Sequence, residues 1–547
     1  MGVQTNDNNE KGVRAVKLHE QLKNDRTTWD GHWDEVAKYV IPRKDDVYGQ
    51  AVNGEKKTNV LFDTKAIKAN DDLSSALHGM LTNPSIIWFG LSTGDEELDN
   101  DEEVKKWLFD STIKTISTMN QSNFQTEIHE VYQDLGSIGT ASMRIEEDED
   151  DIVRYYSEPI YEVVLRPNNK GRIDFVSREF EFDGRQVMME YEDTMDDEAQ
   201  KFIEDSLKAN PNTKFKIIQQ VSKRTKAEMN GQVGSKGFPI ASIHILKKNG
   251  MILRESGFEV WPYATPRSSK INKETYGRSP AMKTLADIKM ANGMKKVTIQ
   301  GAQLTIAPPM QGPDNGFLTP TQFKPFGMNY YRSGSKDRLE PIFTGGNPQL
   351  GLDLLQDVHN SIREHFMLDK LVLPLQDRMT ATETLQRRDE NLRHLGPQLG
   401  RMDTELLKPI IDRTVFICGK RGVYDELPAK LAEKGDDFTL NIVYRSTIAQ
   451  AQMIAQSENI VRAINSTAFV VGSQPEVMDN IDGDKLLQKN FTTYNVDPDI
   501  LRSKADVDKI RKDRAEAIRA QQQSEQSNQD AQTVKTLEDA NGQGNAS

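Results

Sequence analysis

The chain of 547 residues has little of several features on which large classes of proteins depend. Its one cysteine, Cys418, can form no intrachain disulfide, which fits a reducing compartment. Its longest apolar stretch, near 86–91, is far shorter than the roughly 20 residues that cross a bilayer. The polar start, MGVQTNDNNEKG, has no apolar core of a signal peptide. We therefore expect neither a membrane protein nor a disulfide-based fold.

Sequence motifs of common enzymes are also missing. There is no phosphate loop, because the stretch from Gly49 to Gly54 lacks the Lys-Ser/Thr ending, and neither H-E-x-x-H nor G-x-S-x-G occurs. His359 and His365 are six residues apart, which puts them on different faces of a helix, so we interpret both as surface or partly packed residues. Cys418 reads as a small buried hydrophobe near a helix end. The sequence thus predicts no enzyme and no catalytic, metal-binding or cofactor-binding residues.

The charge is strongly unbalanced. Lys and Arg number 70 against 83 Asp and Glu, a net charge of -13, which argues against non-specific DNA binding but leaves room for a local basic surface. Only 36% of the residues are hydrophobic, which indicates long solvated helices or a subunit that completes itself against neighbours.

An acidic run, Glu146 to Asp151, allows two interpretations. Its carboxylates could hold a divalent cation. However, the run lacks the spaced D-x-D-x-D-G pattern and lies between two strand-like stretches, 141–145 and 152–156. We favour a solvated turn between paired strands.

The first half of the chain alternates helical and strand-like patterns. A polar arm over 1–12 is predicted to be disordered. Apolar spacing predicts helices over 13–40, 63–82, 101–119, 123–136 and 184–208. β-branched and aromatic residues predict about four strands within 140–182 and further strands over 214–222 and 239–260.

The second half begins with a helix–insert–helix pattern. Ser279-Pro280 is a cap followed by a first-turn proline and starts a helix to about 306, and Asn347-Pro348 starts another to about 370. The two helices can run antiparallel and hold the insert between them. After a break, a capping box at Thr380 opens a helix over 381–418, with kinks expected at Gly396-Pro397 and Pro409. Further helices are predicted over 447–466, 474–491 and 504–522, before a polar tail.

Read in order from about 14 to 520, these segments resemble the portal (head-to-tail connector) proteins of short-tailed, podovirus-type bacteriophages. Seven blocks carry the resemblance: WDGHWDEVAKYVIP (29–42), FDT (62–64) with LHGMLTNP (77–84) and WF (88–89), SNF (122–124) with DLGSIGT (134–140), YGRSP (276–280) with Pro308-Pro309, RMTATE (378–383), LGP (395–397) and YRSTIAQAQ (444–452). The last block departs slightly from the family at Thr447-Ile448. Each block is weak evidence alone, but their shared order is specific.

The resemblance implies a mostly helical α+β portal-type subunit in a ring, typically of twelve copies. Together with the patterns above it divides the chain into a disordered arm (1–12), an α+β wing (13–278), a first stem helix (279–306), a loop-rich clip (307–347), a second stem helix (348–370), a tunnel loop (371–380), a kinked helix that returns to the wing (381–445), a helical crown (446–522) and a disordered tail (523–547).

The resemblance also implies a place in the virion, at one capsid vertex, after assembly in the host cytoplasm. The implied partners are further copies of the chain, double-stranded DNA passing through a channel, terminase and then a tail adaptor at the clip, and the major capsid and scaffolding proteins, with no membrane and no cofactor. The implied clip docking residues are Pro308, Pro309, Pro313, Pro320, Tyr330, Tyr331 and Arg332. The implied tunnel-loop residues are Pro374, Gln376, Asp377, Arg378, Met379 and Thr380.

A channel must guide DNA without holding it, because each phosphate neutralised by Lys or Arg adds affinity. A mainly acidic wall with a few basic positions meets that need. Candidates for transient DNA contact are Lys289, Lys295, Lys296 and Arg378, although each could equally be a solvated or intersubunit charge. The alternatives to a structural portal ring are a tail-tube adaptor or scaffold protein of the same vertex and a packaging ATPase. The missing phosphate loop argues against the ATPase, and the strand-rich middle argues against the others.

Overall fold

A computed structural model of the chain describes residues 2–44, 60–99, 101–229, 234–306, 310–311, 340–341, 348–371, 399–434, 440–444, 460, 462–463, 466, 482–493, 500–502 and 504–542. The singled-out tunnel-loop residues 374 and 376–380, Arg378 among them, the singled-out clip docking residues and the Gly396-Pro397 kink lie outside these ranges. None of the described helices is both long and apolar enough to cross a membrane.

Helices make up much of the described chain. In chain order they are α1 (Gly2–Asp25), α2 (Thr27–Val40), α3 (Lys65–Leu81), α4 (Glu96–Asp99), α5 (Glu102–Gln121), α6 (Phe124–Ser137), α7 (Gly184–Tyr191), α8 (Asp197–Ala209), α9 (Lys226–Met229), α10 (Pro280–Lys283), α11 (Leu285–Ile306), α12 (Pro348–His365), α13 (Leu368–Leu371), α14 (Lys408–Lys420), α15 (Ala429–Ala432), α16 (Gly483–Thr493) and α17 (Lys504–Gly542).

Twelve strands are described. They are β1 (Phe89–Ser92), β2 (Ser142–Glu147), β3 (Val153–Glu158), β4 (Val163–Pro167), β5 (Ile173–Asp183), β6 (Lys214–Lys223), β7 (Ile240–Leu246), β8 (Ile252–Phe258), β9 (Tyr263–Ala264), β10 (Met310–Gln311), β11 (Glu340–Pro341) and β12 (Asn441–Tyr444). All pair antiparallel, in a five-stranded sheet β4-β5-β6-β7-β8, a three-stranded sheet β3-β2-β9, and the pairs β10-β11 and β1-β12. The mixed helix and sheet class agrees with the prediction.

The chain divides into two units by its internal contacts, Met1–Trp88 with Lys114–Tyr424 and Phe89–Ile113 with Asp425–Ser547. The stretch 89–113, expected inside a continuous wing over 13–278, therefore groups with the C-terminal residues. The reason is strand pairing: β1 pairs with β12, from Phe89 opposite Tyr444 to Ser92 opposite Asn441. Long-range pairing of this kind leaves no mark in local sequence patterns.

The first unit is built around the five-stranded sheet, one part of which α7 and α8 cover. Residues of the two helices, of the connection between them and of β6, β7 and β8 bury their side chains together: Val187, Tyr191, Met195, Ala199, Ile203, Phe215, Ile217, Leu246 and Leu253. Burying an aliphatic or aromatic side chain of this size contributes about 1.5–3 kcal/mol, so this cluster fixes the helices on the sheet.

The single helix predicted over 184–208 is instead two. Asp183 starts α7 with a capping box, in which its carboxylate accepts from Gln186 N while the Gln186 side chain accepts from Asp183 N. Between α7 and α8, Thr194 donates from Oγ1 to the carbonyl of Leu253, and Met195 enters the core. These contacts with the sheet explain the break.

The helix predicted over 13–40 is also divided, at Arg26. The Arg26 guanidinium is buried and donates to the carbonyls of Ile160 (2.9 Å), Tyr161 (2.7 Å) and Val163 (2.5 Å), and it pairs with Asp30 at 2.8 Å. Because a buried cation needs several partners, the chain turns where its side chain reaches those carbonyls.

Both chain ends differ from the disorder predicted for them. The helix α1 begins at Gly2, inside the arm predicted over 1–12, and Lys11 pairs with Glu255 while the Gly12 backbone lies against the Gly250 carbonyl. A side chain at position 12 would clash there, so the glycine permits the close approach. At the other end, α17 continues through the polar tail to Gly542.

The helix predicted over 381–418 is described from residue 399. A π-helical segment, Asp403–Leu407, lies immediately before α14 and its first-turn Pro409. A wider turn accommodates the missing N–H of proline, so the helix is irregular at the place where the second kink is predicted. The segment also directs Glu405 towards Arg267, to which it is bonded through both carboxylate oxygens.

The second unit holds the β1-β12 pair and α16 and α17. Asp99 in α4 accepts from Ser92 Oγ (2.6 Å), Thr93 N (2.8 Å) and Thr93 Oγ1 (2.6 Å), and thus closes the turn after β1. Arg511 of α17 makes a two-pronged ion pair with Asp484 of α16 at 2.6 and 2.8 Å.

Removing the carboxylate from the Arg267–Glu405 pair tests how much this pair stabilises the first unit. Glu405→Gln leaves a guanidinium that is 2% exposed without its counter-charge, and should lower the free energy of unfolding by about 3 kcal/mol in chemical denaturation. The control is Glu181→Gln, at an exposed pair with Lys216, with an expected loss under about 1 kcal/mol. Equal losses would show that burial of the pair has no special weight.

Candidate functional site: the base of the helical hairpin

The helices α11 and α12 form an antiparallel hairpin. Ser361 Oγ of α12 donates to Asp287 near the start of α11 (2.9 Å), while Gly351 near the start of α12 faces Thr298 further along α11. Beyond the helices, Gln311 of β10 lies opposite Glu340 of β11. The chain therefore runs outward along α11 and returns along α12, as the helix–insert–helix pattern predicts.

The start of α10 follows the predicted capping. Ser279 Oγ accepts from Met282 N (2.9 Å), and Pro280 occupies the first turn. However, the helix predicted over 279–306 is interrupted at Thr284, which separates α10 from α11, and that predicted over 348–370 is interrupted near Met367, whose φ is +57°. Leu371, assigned to the tunnel loop, is the last residue of α13.

Asn292 on α11 holds the segment that precedes α3. Its amide Oδ1 accepts from the backbone N–H groups of Phe62 (2.7 Å) and Asp63 (3.1 Å), and its Nδ2 donates to the Val60 carbonyl (3.0 Å). Asn292 is 8% exposed, so these bonds are largely shielded from water. One amide side chain thus satisfies three backbone groups.

Asp63 connects the same segment to the other helix of the hairpin. One carboxylate oxygen accepts from Lys65 N, the first residue of α3 (2.9 Å), and the other is bonded to His359 Nε2 of α12 (2.9 Å). His359 is thus partly packed, which agrees with its interpretation from the sequence. The pair of contacts at Asn292 and Asp63 ties both helices to one short stretch of chain.

Two of the sequence blocks meet in an aromatic cluster beside this base. Ring centroids of Trp29 and Trp33 lie 5.8 and 5.1 Å from that of Tyr276, the latter edge to face. Arg278 lies over Trp29 at 5.2 Å. The Tyr276 hydroxyl accepts from Leu165 N (3.1 Å), and burial raises the pKa of this phenol. The block of 29–42 is therefore fixed to that of 276–280.

A third sequence block, that of 134–140, contacts the same region of the structure. Ser279 Oγ donates to the Ser137 carbonyl (2.6 Å), and Gly277 N donates to Thr140 Oγ1 (2.8 Å). Gly139 has φ of +88°, and a Cβ there would lie 2.5 Å from Ser279 N. Only glycine suits a left-handed residue in such close contact with another backbone.

The predicted DNA-contact lysines on α11 have different surroundings. Lys289 forms an ion pair with Glu35 of α2, and the ammonium of the exposed Lys296 lies 5.4 Å from the centre of the Phe62 ring. Lys295 is half-buried. Lys289 is thus part of the base of the hairpin, which the sequence did not predict. Lys296 is the most exposed of the three lysines.

The structure also shows the surroundings of the acidic run and of Cys418. The acidic run forms the turn between β2 and β3, in which Asp148 N donates to the Ile152 carbonyl (2.9 Å). Glu147 pairs with Lys420 (2.7 Å) and Arg421 (2.6 Å) at the end of α14. Cys418 is buried, as predicted, and burial raises the pKa of its thiol.

The similarity to known proteins covers nearly the whole chain, including the hairpin and its base. A model of a family described as "Bacteriophage head to tail connecting protein" matches residues 14–501. A probable portal protein of Bordetella phage BPP-1 is 28% identical over 94% of this chain and 93% of its own. A portal protein of Salmonella phage epsilon15 is 27% identical over 96% of this chain and 95% of its own.

One solved structure, "Neck of empty GTA particle computed with C6 symmetry", superposes with a TM-score of 0.39 and 10% identity, over 79% of this chain and 96% of that one. A similarity this low carries no argument about the fold or the role of the chain.

Substitutions at two glycines with left-handed backbones distinguish the cost of conformational strain from the cost of a close contact. Gly139→Ala incurs both, because its Cβ would meet Ser279 N, whereas Gly422→Ala at φ of +69° meets open space. We expect Gly422→Ala to cost about 1–2 kcal/mol of unfolding free energy, and Gly139→Ala about 3–5 kcal/mol or failure to fold. Comparable losses measured by denaturation would mean that the blocks do not pack at the base as described.

Proposed function

The chain belongs to the bacteriophage head to tail connecting protein family, and we propose that it forms a portal ring, of twelve copies, at one vertex of the capsid. The resemblance drawn from the ordered sequence blocks is confirmed by this membership, which places the chain among connectors of the phage head and tail. The proposal goes further in giving the chain a ring, a DNA channel and docking partners.

The antiparallel hairpin supports the proposed division of the subunit. In this proposal the stem is 279–306 and 348–370, which contain α10, α11, α12 and α13 up to residue 370, the insert over 307–347 is the clip, and 371–380 is the tunnel loop. The contacts of Asn292 and Asp63 support a stem of fixed orientation, because hydrogen bonds to backbone groups permit little change of angle. Terminase would dock on the clip during packaging, and the tail adaptor afterwards.

The proposed channel would guide double-stranded DNA by repulsion with a few transient contacts. A net charge of -13 supports a mainly acidic wall, and a small number of lysines would touch the phosphates without a large affinity. Lys296 is the strongest of the described candidates because it is exposed, whereas Lys289 is engaged with Glu35. Lys295 and Arg378 remain candidates for the same contacts.

The observation that carries the proposal is the family match over 14–501, which includes the whole hairpin and its base. Negative-stain images of the purified protein test it directly. A ring with a central hole of duplex width is the expected result. A six-fold plug or an elongated rod would favour a tail-tube adaptor or scaffold protein. In a separate assay, ATP turnover at the rate of a packaging motor would favour a packaging ATPase.

Reversing the charge of Lys296 tests the channel contacts. Lys296→Glu should leave rings intact but reduce several-fold the DNA packaged per particle in a complementation assay, because an added negative charge repels phosphate. Lys208→Glu, at an exposed lysine of α8 in the proposed wing, serves as the control and should package normally. Normal packaging by both variants would remove Lys296 from the channel.

Shortening the insert tests docking. Because Gln311 lies opposite Glu340, replacing 312–339 with Asn-Gly joins β10 and β11 through a two-residue hairpin turn. We expect rings to form, since the base contacts are untouched, while terminase or tail attachment fails. Infectious particles at the normal yield from this variant would show that the insert is not the docking element.

A further inference from the structure

A polar cavity lies in the first unit between strands β7 and β8 and helix α14, away from the base of the hairpin. Its volume is about 420 Å³, within the size range of small-ligand sites. Three phenylalanines and seven charged side chains line it, among other residues: Phe238, Phe258, Phe416, Glu146, Glu147, Glu190, Glu259, Arg254, Arg413 and Lys420.

Arg413 is the unusual member of this lining. It is 5% exposed, and its guanidinium carbon lies 5.1 Å from the centre of the Phe258 ring and 5.7 Å from that of Phe416. In the described part of the chain its one hydrogen bond is a long one, 3.4 Å from Nη1 to the Val260 carbonyl, and no carboxylate lies within ion-pair distance. Its Nε is buried without an acceptor.

A second polar group in the cavity is also unsatisfied. Ser242 on β7 is 1% exposed, and its Oγ has no hydrogen-bond partner among the described residues. Buried polar atoms are nearly always paired, and these two residues of one cavity each leave a polar atom that a ligand in the cavity would satisfy. Burial lowers the pKa of the Arg413 guanidinium, against the opposing effect of the nearby glutamates.

The charges around Arg413 define the ligand. Three of the four lining glutamates have cations of their own: Glu146 pairs with Arg144, Glu147 with Lys420 and Arg421, and Glu190 with Arg254. A planar, singly charged carboxylate fits a guanidinium fork in two-pronged fashion and adds one negative charge. A phosphate dianion would bring two negative charges among four glutamates.

We propose that this cavity is a carboxylate-binding site in which Arg413 binds the carboxylate and Ser242 donates a further hydrogen bond. The carboxylate would come either from a small free acid or from an Asp or Glu side chain of a second copy of the chain. Neither source depends on the proposed DNA channel, so the site stands apart from the portal proposal.

The test compares thermal unfolding of the full-length protein in sodium acetate and in sodium chloride of equal ionic strength. Acetate stabilises many proteins without binding, so the readout is the acetate-dependent rise in Tm of the wild type minus that of Arg413→Met. We expect a difference of about 2 °C or more. An equal rise in both proteins overturns binding of a free carboxylate at Arg413.

Protein concentration distinguishes the second source. If the carboxylate belongs to another copy, the Tm of the wild type rises more steeply with protein concentration than that of Arg413→Met, whether or not acetate acts. If neither acetate nor concentration distinguishes the two proteins, the site is refuted.

Two further variants keep the test valid if Arg413→Met does not fold. Arg413→Lys keeps the charge but loses the planar fork, so its specific response should be reduced at least several-fold. Arg254→Lys, at the neighbouring arginine that is already paired with Glu190 at 2.9 Å, should respond like the wild type. Equal responses of the two lysine variants would contradict a site centred on Arg413.

Discussion

The buried pair of Arg267 and Glu405 is the interaction on which the first unit depends most. Arg267 donates to Glu405 from Nε (3.0 Å) and Nη2 (2.7 Å), and also to the carbonyls of Gly171 (3.0 Å) and Thr275 (3.3 Å). One side chain thereby joins the β4–β5 turn, the chain before the hairpin and the π-helical segment before α14. Because Glu405 is presented by that wider helical turn, the irregular helix and the buried charge are parts of one arrangement.

The base of the hairpin is held by polar contacts as well as by apolar packing, and this has a structural consequence. Apolar packing tolerates small rotations, whereas bonds from one amide to three backbone groups, as at Asn292, do so poorly. Asp63 adds a bond to the opposite helix through His359. A long hairpin amplifies any angular error at its base, so directional bonds are best placed there.

Local patterns predicted the elements well because their causes are local. Ser279-Pro280 starts a helix through bonds within one turn, and the acidic run forms a turn because strands lie on either side of it. The sequence did not reveal the partner of Arg267, which is 138 residues away, nor the division of the first helix at Arg26, whose side chain reaches carbonyls more than 130 residues distant. Asn292 was also missed, because an asparagine inside a helical pattern gives no sign of a distant backbone partner.

Three buried arginines of the first unit differ in the partners that surround their guanidinium groups. Arg26 has three carbonyls and a carboxylate, and Arg267 has a carboxylate and two carbonyls. Arg413 is about as buried, yet it has two aromatic rings and one long bond to a carbonyl. Removing a guanidinium from water costs several kcal/mol unless charges or dipoles replace the water, and ring faces replace only part of it. Arg26 and Arg267 each have a carboxylate partner within the chain, whereas Arg413 would gain one from the carboxylate that we propose for its cavity.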